Sequence, residues 1–87
     1  MTTTRAHRVP ATRSELLKAR LDEARAIHDA WNIRLRRAEA QHTITTRDGG
    51  DNTATLRVIA ATEISVLDAA GELKVALEAW VSSCTNH

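Results

Sequence analysis

The chain has no phenylalanine and no tyrosine, and only one cysteine, one proline and three glycines among its 87 residues. Each scarcity excludes something. With Cys84 alone no internal disulfide can form, and no Cys/His cluster has zinc spacing. A domain of this size without such staples commonly reaches stability by oligomerising. The two tryptophans are the only aromatic residues, so no ring is interleaved among the basic residues to stack on bases. Pro10 is the only proline, and no glycine or proline interrupts residues 13–47. The glycines are Gly49, Gly50 and Gly71, which form no phosphate-cradling loop. No apolar run approaches the roughly 18 residues of a membrane span. The opening stretch Met1-Thr-Thr-Thr-Arg-Ala-His-Arg8 has no apolar region of the secretory type. The expected location is the cytoplasm. Arginine is favoured ten to two over lysine, a usage expected of a bacterial or phage chain.

What is present is a division of charge. The net charge of +1 conceals two opposed halves. Residues 1–47 carry ten basic and five acidic groups, a net of +5; residues 48–87 carry two basic and six acidic groups, a net of −4. The boundary falls on Asp48-Gly49-Gly50-Asp51-Asn52, the strongest turn signal in the chain. Two segments of opposite sign joined by one turn are disposed to fold back on each other.

Residues 1–11 are polar and threonine-rich and read as a flexible basic arm. Thr12-Arg13-Ser14-Glu15 has the form of a capping box and predicts a helix over about 12–47. Its apolar or semi-apolar positions are Leu17, Leu21, Ala24, His28, Trp31, Leu35, Ala38 and His42, at alternating steps of four and three. Ile27 widens that stripe. Gly49 suits the position just past a helix end. Asp51, Asn52 or Thr53 can open a second helix over about 53–83 after a turn at 48–52, leaving 85–87 as a tail. The second stripe is read as Leu56, Ile59, Ala60, Glu63, Val66, Leu67, Ala70, Leu73, Leu77, Trp80 and Val81.

The predicted fold is all-α: an antiparallel two-helix hairpin over 12–84, dimerising into a four-helix bundle. The competing fold is helix–β-hairpin–helix. It draws on the β-branched residues of 42–59 and on Asp48-Gly49 as a hairpin turn. In the helical hairpin, facing positions sum to roughly 98, the count that follows from a turn centred near residue 49. Leu17 then meets Trp80 and Val81, Leu21 meets Leu77, Ala24 meets Leu73, and Trp31 meets Val66 and Leu67. Ala70 and Gly71 leave room for His28 and Trp31. Glu63 falls beside Arg34 and Leu35 and needs an arginine, Arg34 or Arg36, as its partner.

No catalytic constellation is visible. Glu39-Ala-Gln-His42 is a Glu-x-x-His pair of the kind that helical di-iron bundles use, with Glu63 as the only further ligand on offer. This makes a metal-binding bundle a remote reading. Neither a metal site nor a cofactor is expected. The turn carries no Trp-x-Gly and the tail no Tyr-x-x-x-acid pattern, so the chain does not resemble the secreted helical hairpins that carry them. Arg5, Arg8 and Arg13, with Arg34, Arg36 and Arg37, are the candidate contacts for nucleic acid or an acidic partner. The core and dimer interface are expected from Leu17, Leu21, Ala24, His28, Trp31, Leu35, Leu56, Ile59, Val66, Leu67, Leu73, Leu77 and Trp80. The expected function is a small non-catalytic adaptor or inhibitor that binds another protein through a helix face. The alternative is a nucleic-acid-associated regulator.

Overall fold

The computed structural model describes residues 12–85 as two antiparallel helices, α1 (Arg13–Arg47) and α2 (Thr53–Thr85). The basic arm, with Arg5 and Arg8, and residues 86–87 of the expected tail lie outside the described residues. No strand occurs among the described residues. The helix–β-hairpin–helix alternative is therefore replaced by helix–turn–helix over 42–59.

Both ends at the turn have identifiable caps. Thr12 opens α1 in an extended conformation, and its hydroxyl accepts from the Glu15 amide at 3.1 Å. α1 closes in a Schellman motif, which disposes of carbonyls that the helix leaves unpaired. Gly49 takes the left-handed conformation, φ 75°, and its amide donates to the Thr46 carbonyl at 3.2 Å. The Gly50 amide donates to the Thr45 carbonyl at 3.0 Å. Two residues later, Asp51 Oδ1 accepts from the Thr53 amide at 3.0 Å and from the Thr53 hydroxyl at 2.7 Å. The Asn52 carbonyl accepts the first bond of α2, from the Leu56 amide, while its side chain donates back to the Thr46 hydroxyl. These bonds outweigh the strand propensity of the flanking β-branched residues. They give the Asp48, Gly49, Gly50 and Thr53 amides helical or capping partners and so tie the turn to both helices.

Near the turn His42 Nδ1 lies 2.9 Å from the Thr55 hydroxyl, and at the far end the Lys18 ammonium lies 5.9 Å from the Trp80 ring centre. These contacts set the register: facing positions sum to 97 or 98, in line with the spacing expected from the sequence. The α1 stripe faces α2 as predicted. Leu21 is buried, and Leu17, Ala24, His28, Trp31, Leu35, Ala38 and His42 are half-buried. Leu21, at 1% exposure, is the largest side chain that is fully enclosed.

The α2 stripe needs correction. The seam runs through Thr55, Ile59, Thr62, Val66, Ala69, Leu73, Ala76 and Trp80, again in steps of four and three. Leu56, Ala60, Glu63, Leu67, Leu77 and Val81 are exposed on its flank, whereas Ile59, Val66, Leu73 and Trp80 hold the places expected. Extending the register sets Leu21 level with Ala76, not Leu77. It sets His28 level with Ala69, not Ala70 or Gly71, and Leu35 level with Thr62, not Glu63. Large thus meets small along the seam, which lets two helices approach closely. Thr62 tolerates burial because its hydroxyl donates to the Val58 carbonyl at 2.6 Å. Glu63 stays exposed without the expected arginine. Among the described residues the one ion pair is Lys18–Asp22, at 2.7 Å within α1.

Candidate functional site

Two surfaces of the hairpin stand out by their shape and composition. The first is a groove of about 310 Å³ along one side of the seam, floored by Ala24 and Ala69. Ile27, Trp31, Arg20 and Glu23 form its α1 wall, and Asp68 and Glu72 stand on the α2 wall. Residues 20, 23, 27 and 31 share that wall because three- and four-residue steps return to the same side of a helix. The Arg34 guanidinium lies 4.7 Å from the Trp31 ring centre and covers part of it. The groove pairs an apolar wall with three carboxylates and one guanidinium. It suits a side chain that is apolar along its stem and basic at its tip.

The second surface is the outer side of α2. Among the described residues eleven large apolar side chains are exposed, four on α1 and seven on α2. Of the seven, Ile64, Leu67 and Val75 lie opposite the seam, Leu56 and Val81 on its flank, and Val58 and Leu77 at its edges. Ile64 and Leu67 are the most open, at 68% and 71%. A helix that is apolar nearly all round is one that gets surrounded. One neighbour covers only one side of α2. Gly71 lies on this outer side, and a Cβ added there would meet nothing within 4 Å. The sequence reading assigned Gly71 to the seam as a space-maker, and the hairpin does not use it so.

The basic candidates do not gather. Arg13, Arg34, Arg36 and Arg37 are all exposed on α1. Residues two apart on a helix point about 200° apart, so Arg34 and Arg36 lie on different sides. Arg37 shares the side of Arg34, which is itself stacked on Trp31. Arg13 lies about 30 Å along the helix from Arg34 at 1.5 Å per residue.

The histidines are occupied by packing. The Thr55 hydroxyl donates to the Asn52 carbonyl at 2.9 Å. Its single proton is thereby committed, so His42 Nδ1 is the donor in the contact between them. Asn32 Nδ2 donates to the His28 carbonyl at 3.0 Å and lies over the His28 ring. Glu39 and Glu63 are exposed, and no group of three His, Cys, Asp or Glu side chains comes together among the described residues. Cys84 is an exposed free thiol. The Asp51 carboxyl is held below its ordinary value, first by the Thr53 amide and then by the Thr53 hydroxyl. That is the electrostatics of a cap.

Sequence reasoning missed Ile64 and Val75 and misplaced Gly71. A signal was present: a glycine in mid-helix that no turn requires, within a helix lacking a fully polar side. No helix among the described residues is long and apolar enough to cross a membrane. No protein family, curated protein or solved structure matches the chain.

Proposed function

We propose that this chain is a small non-catalytic interaction module that pairs with a second copy of itself and binds another protein through a helix face. It would act as an adaptor or inhibitor. The observation that supports this is the exposure of seven large apolar side chains on α2, three of which, Ile64, Leu67 and Val75, lie on the side opposite the seam. The side groove with Ile27 and Trp31 offers a second, chemically different face, acidic on one wall. A partner helix carrying apolar and basic side chains is the complement such a groove takes. Binding to nucleic acid is the lesser reading, because the described arginines are dispersed over different sides of α1.

The test is affinity capture by the tagged full chain from its native host, run beside Ile27→Asp. Ile27 is 47% exposed, so the substitution alters the groove while leaving the seam intact. A protein retained by the original chain and lost by Ile27→Asp is the expected result. A chain that instead binds duplex DNA, with affinity falling steeply as salt rises, overturns it.

A further inference from the structure

We infer that the second copy packs antiparallel on the outer stripe of α2, with a two-fold axis between Leu67 and Asp68. The stripe opposite the seam reads Arg57, Ala60, Ile64, Leu67, Gly71, Val75 and Glu78, and every one of these residues is exposed. At 3.6 residues per turn they fall within about 80° of one another, the width one helix neighbour covers. The order of residues is self-complementary. When the stripe is reversed and laid on itself with facing positions summing to 135, Ile64 of one copy meets Gly71 of the other. Val75 meets Ala60, and Arg57 meets Glu78. Leu67 lies at the centre beside its own copy.

Ile64 and Val75 then each have a small residue opposite, as Leu21 has Ala76 in the seam within the hairpin. Both ends of the interface close on opposite charges. A two-fold interface repeats every pair, so the one stripe supplies two ion pairs and two Ile64–Gly71 contacts. Gly71 is otherwise unexplained. It weakens the helix in which it stands, no neighbour in the hairpin crowds it, and its φ is not in the left-handed range. A facing backbone that must come close is the circumstance in which a helical glycine is useful. The ion pairs also fix direction. A parallel arrangement would set Arg57 on Arg57 and Glu78 on Glu78, like on like.

The inference rests on the self-association proposed above and adds its face and register. In this register the two Cys84 thiols lie about 50 Å apart, 33 residues at 1.5 Å each. A parallel dimer would instead place them side by side. The experiment uses the full chain at micromolar concentration, with light scattering for mass and a short bis-maleimide for proximity. The expected mass is twice 9.6 kDa. Cys84 should not be bridged, and Leu67→Cys combined with Cys84→Ser should be. Gly71→Leu, which adds bulk only on the outer side, should weaken the dimer at least tenfold while circular dichroism keeps its helicity. Arg57→Glu should weaken it, and adding Glu78→Arg should restore it.

A dimer in which Cys84 is bridged, or one indifferent to Gly71→Leu and to the charge exchange, overturns this face and register while leaving self-association standing. A folded monomer at all concentrations overturns both.

Discussion

Leu21 and Trp31 share one stripe of α1, and their burial separates what truncation should do. Leu21 is 1% exposed, so Leu21→Ala removes fully enclosed methyl groups and leaves a cavity. The expected loss is about 3 kcal/mol in a chemical-denaturation series. Trp31 is half-buried and partly covered by Arg34, so part of its ring never leaves solvent contact. Trp31→Ala should cost about 2 kcal/mol, below the 3–5 kcal/mol typical of a fully buried aromatic. Glu63 contrasts with both. It is exposed and unpaired in the seam register, so a double-mutant cycle of Glu63→Gln with Arg34→Met should show coupling under about 0.5 kcal/mol. Asp51 contributes to the pH dependence of stability on the acid side. Its carboxyl is held below 3.8 by the Thr53 amide and hydroxyl. A lowered folded value means the cap's contribution is present above the unfolded pKa and is lost as pH falls through the folded one. Thermal melts should therefore favour the original chain over Asp51→Ala near neutral pH, with the gap closing at acidic pH below 3.8.

At the scale of the helices, α1 was readable in phase and α2 was not, and the difference is chemical. Away from its stripe α1 is largely charged, so one side alone is available for burial. α2 has leucine, isoleucine or valine on nearly every side, and ranking its positions by size selects Leu56, Leu67 and Leu77. The seam instead selects Thr62, Ala69 and Ala76, because a close antiparallel approach needs small side chains opposite Leu35, His28 and Leu21. The stop at Gly49 was legible because few residues enter the left-handed region cheaply. The strand-like composition of 42–59 misleads only when the caps are ignored. The Schellman turn makes a test at this scale. Gly49→Ala should destabilise by about 1 kcal/mol through backbone strain alone, since a Cβ there touches nothing. Gly50→Ala acts differently, by pressing a methyl to 3.3 Å from Thr45 Cγ2. Denaturant melts of the two variants should separate torsional strain from crowding.

For the molecule as a whole, the decisive quantity is how little a single hairpin encloses. One large side chain, Leu21, is fully buried, and a fully buried aliphatic side chain stabilises by about 1.5–3 kcal/mol. The caps and the Lys18 contacts with Asp22 and Trp80 add only fractions to about a kilocalorie each. The charge split between the halves adds no specific contact across the seam. The two helices exchange no ion pair among the described residues, so the opposition acts as a diffuse attraction that salt screens. A further source of apolar burial is the outer side of α2, with Ile64, Leu67 and Val75 exposed. If a second copy covers it, folding and association are one equilibrium, and stability follows protein concentration. A tenfold rise in chain concentration should then add about 1.4 kcal/mol per mole of dimer. The check is a set of thermal melts by circular dichroism across two decades of concentration. The midpoint should climb with each decade, and it should stop climbing for Ile64→Glu, which charges the centre of the outer stripe without touching the seam. A midpoint independent of concentration in the original chain would mean that the hairpin is stabilised by something other than its own copy.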